Sequence, residues 1–229
     1  MNKIEKAIIF ATRAHAGTCR KGKDKPYILH PISAMAIVKQ FTTDEDVLAA
    51  AVLHDTVEDT HVTIERLEKE FGSRVAALVA SVSENKRENL PSEATWKERK
   101  QETIDGLKQA DYETKLLCLG DKLSNLREMY DDYAEIGDDL WERFNQKDKR
   151  MHGWYYMEIY KILAEVEEFR WSEELFEFEG ALQFIFGWSR LECTAETEIA
   201  WKGDAVDDQN RERTLIRNKG SCRQIQEGH

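Results

Sequence analysis

Val47-Leu48-Ala49-Ala50-Ala51-Val52-Leu53-His54-Asp55-Thr56-Val57-Glu58-Asp59 is a run of seven apolar residues that passes directly into a set of proton-binding and metal-binding side chains. At a period of 3.6 the stretch 47–53 is apolar on every side, which predicts a helix at the centre of a bundle. It is far shorter than the ~20 residues needed to span a bilayer. On that helix His54 and Glu58 are i,i+4 neighbours, as are Asp55 and Asp59, while Asp55 and Glu58 are i,i+3. Four polar side chains therefore leave one side of the helix where its apolar run ends. Burying that much carboxylate without a cation costs several kcal/mol per charge, so a metal or a basic substrate partner is physically reasonable. The bland alternative is a solvated acidic helix end with His54 hydrogen-bonded to a carbonyl. For the His-Asp dipeptide alone, that alternative carries more weight.

The helical period extends outward in both directions. Ile8, Ala11, Ala14 and His15 share a face of a helix over 4–15. Pro31 suits position N1, with His30 as cap, of a helix over 32–41. Thr42 and Glu45 fit a capping box that opens the central helix, through residues 47–57. Residues 63–71 are amphipathic and stop at Gly72, and the next helix begins over 75–82. Residues 84–95, polar and containing Pro91, read as a loop of about a dozen residues. Helices follow over 96–109, 112–130, about 140–169 and 172–186. No period-2 alternation with turn signals occurs, which disfavours a parallel sheet and a Rossmann fold. The expectation is an all-α bundle.

The 229 residues allow one large domain or two small ones. Residues 1–187 read as one domain. Residues 188–229, with eight acidic and seven basic residues and no sustained period, read as a poorly ordered tail or a short element packed through Trp188 or Trp201. The net charge is −11, divided into +5 over residues 1–30 and −16 over the rest. Such a chain is a poor candidate for gripping nucleic acid. Its basic pole, Arg13 through Lys25, suits a phosphorylated small molecule, although an ordinary solvated loop explains the charge equally simply. Cys19, Cys118, Cys193 and Cys222 have no paired spacing, so neither a disulfide framework nor a zinc knuckle is indicated. With no signal-peptide pattern in Met1-Asn2-Lys3-Ile4-Glu5-Lys6, the expected setting is cytoplasmic, with no membrane partner.

The pair His54-Asp55 has companions elsewhere in the chain. His30-Pro31 lies 24 residues upstream of His54, and Asp121 lies 66 residues downstream of Asp55 in the otherwise apolar Leu117-Cys118-Leu119-Gly120-Asp121. An unpaired carboxylate would be costly there. Two imidazoles and two carboxylates form a mixed N/O donor set suited to Mn²⁺, Fe²⁺ or Zn²⁺, and less to Mg²⁺. Such a set leaves coordination positions open for water and a phosphate oxygen.

The order His30-Pro31, His54-Asp55, Asp121 is similar to the metal signature of the HD-domain superfamily of phosphohydrolases. Together with Arg20-Lys21, Pro26-Tyr27-Ile28, Leu53-His54-Asp55-Thr56-Val57-Glu58-Asp59-Thr60 and Asp121-Lys122-Leu123-x-Asn125-Leu126, it resembles the hydrolase domain of RelA/SpoT proteins over residues 5–130, and more loosely to 187. The resemblance implies an all-α HD-domain helical bundle. It also implies a stand-alone small alarmone hydrolase that uses a divalent metal, typically Mn²⁺, to remove the 3′-pyrophosphate of ppGpp, giving GDP and pyrophosphate. It makes His30, His54, Asp55 and Asp121 metal ligands, and Glu58 and Asp59 the pair that handles the attacking water. Arg20 and Lys21 stand at the substrate, where a structural role for either is weakly motivated. Asn125, i+4 from Asp121, can point into the same cavity. Lys97, Arg99 and Lys100 are candidates for further phosphate contacts, with a solvated helix face as an equal alternative. Gly120 departs from the alanine common in the family, which could loosen the ligand by up to ~1 kcal/mol of helix propensity. Two other functions stand beside this one: an HD-family nucleotidase or phosphodiesterase acting on another phosphorylated nucleotide, and a non-catalytic nucleotide-binding or antitoxin-like partner.

Overall fold

The side chain of Asn2 accepts from the Glu5 amide while the Glu5 carboxylate accepts from the Asn2 amide, and this reciprocal cap opens the first helix of a computed structural model that describes residues 1–84, 87 and 91–188. That helix, α1 (Lys3–Ala14), is followed by α2 (Leu29–Val38), α3 (Glu45–Leu53), the single turn α4 (Thr56–Asp59), α5 (Ile64–Phe71) and α6 (Ser73–Val82). The longer α7 (Ser92–Gln109) and α8 (Tyr112–Ile136) come next, then a 3₁₀ segment (Gly137–Arg143), α9 (Lys149–Ala164) and α10 (Glu173–Phe186). No strand occurs among the described residues beyond one isolated bridge between Cys19 and Pro26, so the fold is all-α. Met1–Phe186 form one compact unit. Of the unit Gly187–His229 only Gly187 and Trp188 are described, and the expectations for the rest of that stretch, Trp201 included, lie outside the described residues.

The apolar run lies where its composition requires. Every residue from Val47 to Leu53 is buried, and α3 is packed against α1, α2, α6 and α8. The longest helix, α8, lies along α2 on one side and carries α10 on another.

Several boundaries differ from the sequence reading, each for a local reason. The cap of α3 is Asp44, whose carboxylate accepts from the amides of Asp46 and Val47; Thr42 only accepts from the Asp44 amide. The helix ends at Leu53 rather than continuing to residue 57. His54 Nδ1 donates to the Ala51 carbonyl and Thr56 Oγ1 to the Leu53 carbonyl, so side chains occupy acceptors that amides would otherwise use. Asp55 (φ −89, ψ −6) then caps α4. In α2, a turn from Pro26 to His30 starts the helix at Leu29, and Pro31 falls within the first turn, where an amide needs no partner. The expected loop over 84–95 is shorter, because α7 begins at Ser92. The expected helix over 140–169 is two segments, because Asp148 caps α9 by accepting from the Arg150 amide.

At Gly120 α8 lies directly against the backbone of α2. A Cβ there would stand 2.8 Å from the Ala34 carbonyl oxygen and 2.7 Å from Val38 Cγ2. The residue expected to loosen the helix is thus the one that lets the two helices meet.

Two stability measurements follow from this packing. Gly120→Ala should lower stability in urea unfolding by about 1–3 kcal/mol of overpacking, in spite of the better helix propensity of alanine. Unchanged or raised stability would mean that α2 shifts freely. His152 is buried against Trp96, Trp141 and Phe144 and donates from Nε2 to the Gln146 carbonyl. Burial, with the charges of Lys100 and Lys21 added, lowers its pKa from the usual 6.5, against opposing effects of the Gln146 hydrogen bond and of Asp148. The neutral ring therefore contributes its full stability above pH 6.5, and that contribution is lost as the pH falls below it. The acid slope of the melting temperature should flatten in His152→Gln.

Candidate metal and substrate site

Four elements meet at the polar end of α3. The first turn of α2 brings His30, the break between α3 and α4 brings His54 and Asp55, and α8 brings Asp121. His30 Nε2 is 3.3 Å from both Asp55 Oδ2 and Asp121 Oδ1, and His54 Nε2 is 3.2 Å and 3.7 Å from the same two oxygens. The imidazoles are 2% and 5% exposed. One donor atom each from His30, His54 and Asp121 lies within 4.8 Å of the others, spacing that could hold a metal ion, and Asp55 Oδ2 adjoins both imidazoles.

The outer ring nitrogens fix the tautomers. Ser124 Oγ donates to the His30 carbonyl and so accepts from His30 Nδ1–H at 2.9 Å; His54 Nδ1–H donates to the Ala51 carbonyl, also at 2.9 Å. Both Nε2 atoms then turn lone pairs toward the carboxylates, an orientation that second-sphere hydrogen bonds commonly impose on metal-binding histidines. His54 Nε2 is buried with no hydrogen-bond partner. An orphaned nitrogen lone pair beside carboxylate oxygens is a donor set that fits a divalent transition metal.

The electrostatics agree with that fit. Burial alone would lower the His54 pKa, yet Asp55 and Asp121 raise it well above its usual value. Burial alone would raise both carboxyls; the imidazoles, and Lys122 beside Asp121, hold them well below the usual carboxylate range. The cluster demands positive charge, which a proton on an imidazole or a divalent ion can supply.

Glu58 and Asp59 lie on α4 and line the same cavity of about 520 Å³. Glu58 Oε1 accepts from the Glu84 amide at 2.6 Å. The hydroxyl of Tyr27 lies 2.7 Å from Asp55 Oδ2 and 2.6 Å from Asp59 Oδ2, a single donor between two acceptors. Burial and the two carboxylates push that phenol far above its usual range, so it keeps its proton. Tyr27 stacks on His15, centroids 4.7 Å apart. The sequence reading quoted Tyr27 without giving it a role and placed His15 only on a helix face. It missed Ser124, though its i+3 spacing from Asp121 was a usable signal.

The cationic residues are held firmly. Arg20 pairs with Glu128 at 2.6 Å and donates to Asn125 Oδ1, and Asn125 in turn donates to Asp121 Oδ1 at 2.6 Å. Glu128 also binds Lys25, so Arg20 has a structural partner that the sequence did not disclose. Lys21 lines the cavity, and so does Lys100, which pairs with Glu84. Arg99 is buried and pairs with Glu84 as well, whereas Lys97 is exposed.

The sequence profile of the HD domain matches residues 7–148, a stretch that includes every candidate site residue. The guanosine-3′,5′-bis(diphosphate) 3′-pyrophosphohydrolase of Danio rerio is 39% identical over 123 residues, 52% of this chain and 65% of that protein. The Homo sapiens protein of the same name is 40% identical over 130 residues, 56% of this chain and 69% of that one. The chain thus spans about two thirds of the length of these curated relatives. A solved structure described as a metazoan ortholog of SpoT that hydrolyses ppGpp superposes with a TM-score of 0.63 at 27% identity, covering 80% of this chain and 95% of that one.

Ion binding should register without any substrate. Mn²⁺ at ~100 times its dissociation constant should stabilise the protein by about 2.7 kcal/mol in thermal unfolding. A chelator should reverse the shift and His54→Ala should abolish it. An identical melting temperature with and without the ion would remove the metal reading.

Proposed function

The chain belongs to the HD-domain family, and within it we propose that this protein is a guanosine 3′,5′-bis(diphosphate) 3′-pyrophosphohydrolase, releasing GDP and pyrophosphate. The observation that carries the reading is the convergence of His30, His54, Asp55 and Asp121 on one cavity that Glu58, Asp59, Arg20 and Lys21 also line. Relatives that share this stretch at 39% and 40% identity carry the name of that activity.

In this reading His30, His54, Asp55 and Asp121 hold one divalent ion, and the imidazole share of the donor set favours Mn²⁺ over Mg²⁺. When bound, the ion supplies Lewis acidity, making water a better nucleophile and drawing charge from a phosphate oxygen. The water oxygen bonds to the phosphorus attached to O3′, the O3′–P bond breaks, and O3′ takes up a proton that balances the one the water gives up. Glu58 and Asp59 are the acceptors for the proton that the water loses. Tyr27 holds Asp59 in register with Asp55 through the shared hydroxyl. Arg20 and Lys21 face the phosphates, where a planar guanidinium beside a mobile ammonium matches a polyphosphate. Asn125 couples Arg20 to Asp121, so the phosphate-binding group and a candidate ligand move together. Residues 1–187 make up the hydrolase domain, and the cytoplasm is its setting. No described helix is long and apolar enough to cross a membrane.

Mn²⁺-loaded protein should convert ppGpp to GDP and pyrophosphate. Glu58→Gln and Asp59→Asn should fold and keep their ion, with the more catalytic of the two losing roughly 10²–10⁴-fold in kcat. Ion content and kcat belong on the same preparations. Normal turnover in both variants would reject the proton-transfer role, loss of the ion would make them ligands, and absence of product from the parent protein would reject the substrate.

A further inference from the structure

The central cavity is poorly suited to holding all of a nucleotide bis(diphosphate). Among the described residues that line it, seven are carboxylates and five are Lys or Arg. A divalent ion offsets the acidic side locally, around one pyrophosphate. With that ion counted, positive and negative charges in this cavity only balance, so the second phosphate arm of the same molecule, on the other side of the ribose, finds no surplus positive charge there.

A smaller cavity of about 260 Å³ adjoins it, sharing Lys21, Lys100 and Phe144 and adding Trp96, Arg99 and His152. Three of its described lining residues are cations and none is a carboxylate. Glu84, outside this lining, pairs with Arg99 and Lys100, so one negative charge stands against those two and Lys21. The walls are preformed. Trp96 packs edge-on to His152 with centroids 5.4 Å apart, His152 lies 5.1 Å from Phe144, and its Nε2 is fixed to the Gln146 carbonyl. Burial above all depresses the His152 pKa, and the charges of Lys100 and Lys21 add to that lowering.

We propose that the recess between α7 and the segment entering α9 is a second anion site that receives the 5′-polyphosphate arm of the substrate. This rests on the hydrolase reading above and deepens it: the arm that is not cleaved is bound by Lys21, Arg99 and Lys100, against Trp96 and His152. The site then reads how many phosphates the 5′-oxygen carries through Arg99, with Lys21 and Lys100 shared with the central cavity. Lys21, Lys100 and Phe144 line both cavities.

The test uses the Mn²⁺-loaded full chain and guanosine 3′-diphosphates bearing a 5′-hydroxyl, a 5′-diphosphate or a 5′-triphosphate. The parent protein should show kcat/KM at least tenfold higher for the 5′-diphosphate than for the 5′-hydroxyl compound, mostly through KM. Asn145→Asp adds a negative charge to the lining of the recess while keeping the Glu84 ion pairs. It should reduce that preference about tenfold, and Arg99→Gln should do the same if it folds. Equal kcat/KM for the hydroxyl and diphosphate compounds would overturn the second site while leaving the hydrolase reading intact, as would an undiminished preference in Asn145→Asp. Failure of the parent protein to cleave any of the three would reject the hydrolase reading, and the second site with it.

Discussion

The close approach of α2 and α8 at Gly120 sets the distances on which the polar cluster depends. With Ala34 and Val38 of α2 against a residue that has no side chain, the helices come near enough for His30 and Asp121 to face each other at 3.3 Å. The same proximity lets Ser124 reach back to the His30 ring and carbonyl, fixing the imidazole. A methyl at position 120 would press on the Ala34 backbone, one turn along from His30. Helix packing and ligand geometry are therefore a single constraint, carried by one missing Cβ.

Around that constraint the site is organised by charge. Two half-buried carboxylates and two imidazole lone pairs cannot share so small a volume without a compensating cation. The surroundings are laid out accordingly: Lys122 beside Asp121, Arg20 reached through Asn125, and Lys100 and Arg99 gathered by Glu84. Negative charge lies at the junction of α3, α4 and α8, and positive charge lies toward α7 and the loop after α1. Such a gradient orients an anionic ligand before any specific contact forms.

Most of the helical order could be read from the sequence because it rests on local pattern. Residues 47–53 are apolar on every side of a helix and are all buried in α3, and Gly72, at φ +96, stops α5 as expected. The errors lie where side chains compete with the backbone. His54 and Thr56 take carbonyls that a continuous helix would use, and nothing in the periodicity shows this. The candidate metal donors were legible because histidine and aspartate are costly in apolar surroundings. Tyr27, His15 and Glu128 were not, since their roles arise from contacts across 28 or more residues or from stacking between neighbouring elements. Gly120 was noticed but its effect was misjudged, because helix propensity is a local quantity and its neighbour lies on another helix.

The break between α3 and α4 also limits how this protein can vary by descent. His54 closes one helix and Asp55 stands at the N-terminal cap position of the next, and Glu58 and Asp59 point where they do because three and four residues separate them from Asp55. Each residue of helix turns the following side chains by about 100°. A single insertion or deletion after Asp55 would therefore swing Glu58 away from the Glu84 amide and Asp59 away from Tyr27, even if every side chain were kept. This stretch is therefore constrained in length. The loop between α1 and α2 is anchored by ion pairs at long side chains, Arg20 and Lys25 on Glu128 and Lys23 on Asp132. Such anchors can absorb an added residue, so heritable changes in length belong there.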